Sequence, residues 1–161
     1  MNSNEIAAEE LRSLGSMKAT EQNGLADLPA AVTTLRDWLQ SDPLRRIKAN
    51  PIVSYYIGLK KALRESYRVL LPGGIAFYVI GKESVFYTFK TREVLYRVHC
   101  DEIFSEIARS CGFEVLDQVD IELDKKNVNA RPRGLDAFYE SVFVLKKADS
   151  AESSGSPKAF A

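Results

Sequence analysis

The clearest pattern along the chain lies between residues 52 and 70, where Ile52, Tyr56, Leu59, Leu63, Tyr67 and Leu70 recur at steps of three and four. Lys60, Lys61, Arg64, Glu65 and Arg68 fall between them. Side chains three and four apart share one face of a helix, so the spacing predicts an amphipathic helix with an apolar stripe and a charged back. Pairs such as Lys61 with Glu65 and Glu65 with Arg68 add only about 0.2–0.5 kcal/mol each, so packing of the stripe has to hold the helix in place. Pro72, Gly73 and Gly74 then end it, because proline has no amide proton to donate and glycine accepts positive φ. Ile75, Ala76, Phe77, Tyr78, Val79 and Ile80 follow without alternation. Such a run reads as a strand covered on both faces, as in a parallel sheet with helices above and below.

Other elements are shorter. Residues 1–50 are polar and helix-prone, with a weak amphipathic segment over 4–14 and a better one over 28–39 that aligns Leu28, Val32, Leu35 and Leu39; both read as peripheral. Over 82–98, Val85, Tyr87 and Phe89 alternate like a strand while Val94, Leu95 and Val98 keep helical spacing, which suggests an excursion off the main sheet. A second helix is predicted over 101–111, with Ile103, Phe104, Ile107, Ala108 and Cys111 inward. Asp101 and Glu102 suit its positive start, and Gly112 sits where helices commonly end. Phe113, Val115, Val119, Ile121 and Leu123 then alternate with polar residues as a strand interrupted by Asp117. A polar loop over 124–134 and a last strand over 138–146 complete the order. From Ala148 the chain is small and polar and is expected to be disordered.

With 161 residues, one domain is the expectation, since a chain of this size can bury about 68–70% of its unfolded surface. Lys plus Arg (22) balances Asp plus Glu (22), so no global basic field advertises nucleic acid, and such a partner would need a local patch. The longest apolar stretch, near Ile75 to Ile80, is far shorter than a bilayer crossing, so no membrane span is expected. Glu5, Glu9 and Glu10 and the lack of an apolar core argue against a secretory or transit peptide, making the cytoplasm the expected location. Cys100 and Cys111 have neither CxxC nor zinc-knuckle spacing and read as reduced thiols.

The stretch ALRESYRVLLPGGIAFYVIG resembles the helix, turn and fifth strand of Rossmann-like S-adenosylmethionine-dependent methyltransferases. DEIFSEIARSCGFEVLDQVDIEL is similar to their next helix and sixth strand, and ESVFVLKK to the seventh strand, which inserts antiparallel beside the fifth. Within that family, YVIG after PGG, a helix ending in GF and a basic loop before the last strand are most similar to DNA methyltransferases acting on exocyclic amino groups of adenine or cytosine. The resemblance covers roughly 52–147. It implies an α/β fold: a partial Rossmann-like sheet of fifth, sixth and seventh strand equivalents with flanking helices, spanning 51–147. A polar helical segment over 1–50 precedes it, and a disordered tail over 148–161 follows.

Two family motifs are missing: the glycine-rich cofactor turn after the first strand, and the D/N/S-P-P-Y/F motif after the fourth. SLGSM, QNGLADLP, SDPLRR and NPIVSYY do not supply them. The chain therefore resembles half a catalytic domain. It carries no assignable catalytic, cofactor or metal residue, and its S-adenosylmethionine is expected only of the complete domain. The resemblance implies a fragment or split subunit of a DNA methyltransferase, inactive alone, with DNA and a complementary chain carrying the N-terminal half as partners. An isolated half-sheet leaves a strand edge open to pairing. The alternatives are a noncatalytic module that binds nucleic acid or protein, and a fragment of an RNA or small-molecule methyltransferase.

Individual residues weigh as follows. Lys82, Lys90, Arg92 and Arg97 interleave with Phe86, Tyr87 and Phe89 beyond the C-terminal end of the central strand, where open α/β sheets bind ligands; this is the candidate nucleic-acid surface. Arg131 and Arg133 in the polar loop are candidate phosphate contacts, against the plainer reading of exposed loop arginines. The basic stretch Arg45, Arg46, Lys48, Lys60, Lys61, Arg64 and Arg68 reads as a solvated helix face. His99, the only histidine, reads as a cap on the second helix rather than a general base, and its neighbours Cys100 and Asp101 do not make a triad by being consecutive. The PGG turn lacks the following G-K-S/T of a phosphate loop. Trp38 and the tyrosines of the long helix read as core anchors.

Overall fold

The computed structural model describes residues 24–123 and 138–149. The segment predicted over 4–14, the polar loop over 124–134 with Arg131 and Arg133, and the tail from residue 150 lie outside the described residues.

Helix α1 (Ala30–Ser41) and helix α2 (Ala49–Val69) are joined by a turn that closes in a short 3-10 segment, Arg46–Lys48. The stripe aligned on α1 is not peripheral: Val32, Leu35 and Leu39 are fully buried and share one core with Val53, Ile57 and Leu63 of α2. Strand β1 (Ile75–Gly81), a hairpin of β2 (Glu83–Tyr87) and β3 (Val94–His99), helix α3 (Cys100–Ser110), strand β4 (Phe113–Leu123) and strand β5 (Phe138–Lys147) complete the order.

The join from α2 to β1 is fastened by the end of the chain's last strand. Lys147 Nζ donates to the carbonyls of Tyr67 (2.7 Å) and Leu70 (2.8 Å), so its ammonium sits at the negative end of α2. Gly73 N donates to Lys147 O at 3.1 Å, and Lys147 N donates to Gly74 O at 2.9 Å. Gly73 has φ of 73°, a left-handed conformation that costs other residues strain, which explains the glycine at this turn.

Three strands form one sheet in the order β1-β5-β4, and β2 with β3 forms a separate two-stranded sheet. The protein is thus mixed α/β, with the 82–98 excursion realised as a hairpin off the main sheet. β5 is antiparallel to both neighbours, so β1 and β4 run parallel without touching. β1 pairs antiparallel with β5, the neighbour that the resemblance implies, and no parallel strand lies beside it among the described residues. One edge of β1 has no strand beside it among the described residues.

Both α2 and α3 lie on one face of this sheet. Tyr78 of β1 bonds Ser66 of α2 through its hydroxyl (2.6 Å), and the Phe104 ring of α3 lies between those of Tyr78 (5.4 Å) and Phe143 (4.7 Å). Phe143 and Leu145 are 0% exposed on this face. The opposite face carries Ile75, Phe77 and Val79 of β1, Val142 and Val144 of β5, and Val119 and Ile121 of β4, as the cross-strand register requires. Among the described residues nothing covers it: Phe77 is 70% and Val79 61% exposed. The expectation that Ile75 to Ile80 is covered on both faces is therefore corrected. Its unbroken apolar run arises because both faces are apolar, while only Ala76, Tyr78 and Ile80 meet the core.

β4 shows how a regular pattern can mislead. A register shift between Val115 and Asp117 inserts one residue, and each side chain beyond it moves to the other face. Phe113 and Val115 thus join the core, whereas Val119 and Ile121, at the same odd positions, face outward.

Candidate functional site

The C-terminal end of β1 is where chemistry-bearing side chains gather. Lys82, immediately after the strand, is fixed by its backbone N–H to Tyr139 O (2.9 Å) and by its carbonyl, which accepts from Asp101 N (3.2 Å). Its ammonium pairs with the Asp120 carboxylate and lies 5.6 Å from the Tyr139 ring centre. Asp120 also accepts from the Ser141 hydroxyl at 2.7 Å, and Gln118 Nε2 donates to Asp101 at 3.3 Å. The Lys82 bond, then the Ser141 bond, hold the Asp120 carboxyl below the usual carboxylate range, and the same contact raises the Lys82 ammonium. Ser141 and Asp101 are buried here; the sequence weighs Asp101 only beside His99 and Cys100, and does not single out Ser141. A serine inside the apolar run ESVFVL was the available signal for the first.

The hairpin divides the remaining candidates. Arg97 on β3 reaches Glu83 on β2 at 2.5 Å, so its charge is matched across the two strands. Lys90 and Arg92 stand in the connecting turn, which Thr88 N to Glu93 O (2.9 Å) and Arg92 N to Thr88 O (3.0 Å) close. Arg92 takes a left-handed φ of 59°. Lys90 and Arg92 pair with no carboxylate among the described residues. The six cations proposed from sequence therefore separate: Lys82 and Arg97 are held in internal ion pairs, Lys90 and Arg92 share the tip, and Arg131 and Arg133 lie outside the described residues. Phe86 is not a free ring either, since it packs 5.4 Å from Trp38, which also meets Tyr96 at 4.6 Å. Trp38 is an anchor of the core's edge, as its sequence context suggested.

What the sequence reading missed is the turn before α2. Arg45 pairs with Asp42, donates from Nη2 to Tyr87 O at 3.1 Å, and lies 6.0 Å from the Trp38 ring centre. Lys48 stands 5.6 Å from the Phe86 ring centre. The basic stretch starting at Arg45 is thereby brought against the tip end of the hairpin's first strand.

Between α2, the end of β1 and the hairpin lies a cleft of about 300 Å³, lined mainly by Ile52, Tyr55, Tyr56, Ile80, Phe86 and Cys100. Burial raises the Cys100 thiol and pushes the Tyr56 hydroxyl up strongly. A raised thiol is a poor nucleophile, because the thiolate is the reactive form. His99 occupies the N-cap position of α3, yet its side chain makes no capping bond and is exposed. Asp101 is turned to its own helix start, accepting from Glu102 N at 2.9 Å, and to Gln118, so no Cys-His-Asp relay forms. Among the described residues, no group of three or more His, Cys, Asp or Glu could hold a metal ion. No described helix is long and apolar enough to cross a membrane.

S-adenosylmethionine does not fit these residues. The cleft is walled by tyrosine rings and aliphatic side chains, and its one carboxylate, Glu83, is already committed to Arg97. A sulfonium amino acid joined to a nucleoside needs several polar contacts that this cleft does not provide. Comparison with family models, curated proteins and solved structures finds no match to this chain.

Proposed function

We propose that this chain is the C-terminal portion of a Rossmann-like methyltransferase domain acting on DNA, inactive by itself and completed by a second polypeptide that carries the cofactor turn and the proline-proline-aromatic motif. The observation that supports the reading is the strand order β1-β5-β4, with the last strand antiparallel between two strands that run parallel to each other. That is the arrangement the resemblance implies for the fifth, seventh and sixth strands. Among the described residues, the open edge of β1 and the apolar centre of the face beside it add a physical reason for a partner, because exposed apolar area and unpaired strand edges favour association.

The test is complementation. The chain is co-expressed with the product of a neighbouring reading frame that encodes a G-x-G turn and a D/N/S-P-P-Y/F motif, and transfer of a labelled methyl group to DNA is measured. Transfer by the pair, with none by either chain alone, supports the split enzyme. A stable pair that transfers nothing to DNA, RNA or small amines sinks it. Nucleic-acid binding without transfer then leaves the noncatalytic module.

A further inference from the structure

We propose that the hairpin tip and the turn between α1 and α2 form one surface that binds a nucleic-acid strand with unstacked bases. In it the Phe89 ring meets a base, and Arg46, Lys48, Lys90 and Arg92 meet phosphates. This deepens the reading of the chain as part of a DNA-modifying enzyme and rests on it.

Three observations converge on the surface. The first is proximity: the Arg45 bond to Tyr87 O (3.1 Å) and the placing of Lys48 over Phe86 (5.6 Å) set residues 42–48 against the hairpin. The second is charge. Residues 42–48 and 88–93 together hold five cations and two carboxylates in a chain whose net charge is zero. Asp42 is taken up by Arg45, and Glu93 accepts from the Thr91 hydroxyl at 2.9 Å. Arg46, Lys48, Lys90 and Arg92 pair with no carboxylate among the described residues.

The third is the ring itself. Phe89 is 93% exposed, although the turn around it is closed by backbone bonds and by the Thr88–Thr91 hydroxyl contact. A large apolar ring held out by a closed turn that also carries Lys90 and Arg92 matches the stacking platforms of single-strand binders. A phenyl group can offer only its face. In an intact duplex the base faces are covered by their neighbours, so the ring requires a base that has left the stack, as chemistry on a base also requires.

Exposed Leu44 and Ile47 beside the turn raise the competing case of an anionic membrane. Glu93 weighs against it: bonded to Thr91 in the same tight turn, its carboxylate would be carried toward the lipid with Phe89. Stacking on one base leaves that carboxylate in water.

Fluorescence anisotropy of the full chain with a labelled single-stranded oligonucleotide, its perfect duplex, and phosphatidylserine–phosphatidylcholine vesicles tests the proposal. The single strand is expected to bind best. Phe89→Ala should weaken it by about tenfold, while Phe89→Trp keeps the affinity and shows indole quenching on binding. Replacing Lys90 and Arg46 by alanine should flatten the slope of log affinity against log salt by about 1.4. Equal binding of duplex and strand with no effect of Phe89→Ala overturns the stacking surface, as does preference for vesicles or no binding to any probe. If the complemented enzyme still transfers methyl groups under those outcomes, the surface is wrong and the enzyme reading stands. Strand binding at Phe89 with no transfer by any pair removes the enzyme and keeps the surface.

Discussion

The two faces of the three-stranded sheet are both apolar at their centre, yet they have different neighbours. On one, Phe143, Leu145 and Tyr78 meet Phe104 and Ile107 of α3 and Leu63 of α2 in a continuous core. On the other, Phe77, Val79, Val119 and Ile121 stand in the open among the described residues. The register also puts Glu140 at one end of that face, Lys146 and Glu114 at the other, and Asp117 on its β4 edge, but the centre is apolar where an antiparallel sheet with one wet face carries polar residues. The difference teaches that burial and composition answer separate questions. Burial shows what the described residues themselves enclose, whereas an apolar face left open marks what they are suited to meet.

The sharpest way to test the contrast is to damage each face in turn. Phe143→Ala removes a fully buried ring that touches Phe104, and should destabilise the chain by about 3–5 kcal/mol in urea denaturation followed by circular dichroism. On the open face, Phe77→Lys with Val79→Lys should change stability by no more than about 0.5 kcal/mol. Its effect should instead appear in sedimentation, as loss of the complementing chain. A cost above about 2 kcal/mol for the lysine pair would mean that the face is already covered within the chain, and the contrast would collapse.

The long helix was legible because six apolar positions keep one period across its length, and the one glycine among them, Gly58, does not break that period before Pro72. Ile75 to Ile80 was legible as a strand but not as to its surroundings, since a run apolar on both faces looks the same whether one face or two are covered. In β4 the alternation was real, but the extra residue near Leu116 exchanged the faces midway, and nothing local in the sequence announces a bulge. Among the site residues, cations were easy to find and their partners were not. Glu83 is fourteen positions from Arg97, Asp120 thirty-eight from Lys82, and Tyr87 forty-two from Arg45. Such pairs exist only once the chain is folded, so a list of basic residues overstates how many are free to bind.

The covered face should also reveal itself in alkali. The Cys100 thiol, raised chiefly by burial, and the Tyr56 hydroxyl, raised chiefly by burial, both resist ionisation in the folded chain. Each group keeps its proton longer folded than unfolded, so its contribution is intact below the unfolded value and declines as pH climbs from there toward the folded one. For the thiol the decline begins near pH 8.5, about its ordinary value. Urea midpoints should therefore fall from about that pH upward, and Cys100→Ala should remove the earliest part of the fall. The lysine pair on the open face should leave this profile unchanged, because neither Phe77 nor Val79 lines the cleft.

The smallest effect lies at the rim, where the covered face runs out beyond α3 and turns polar. Gln118 and Asp120 occupy positions after the bulge that face the helix side, and Lys82 closes over Asp120 with both side chains about one-third exposed. Solvent at that exposure screens the pair, so a double-mutant cycle of Lys82→Met and Asp120→Asn should give a coupling that is weak and shrinks as salt is added. The acid side of the profile carries the same signature. Asp120 holds its charge to lower pH in the folded chain than in the unfolded one, so its contribution is present above the unfolded value of about 3.9 and fades as pH drops through the lower folded value. A strong coupling, unmoved by salt, would place Lys82 in the dry interior and erase the boundary between core and rim. A weak, salt-sensitive coupling would confirm that the covered face ends at Ser141, the last fully buried residue of β5 toward that rim among those whose burial is described.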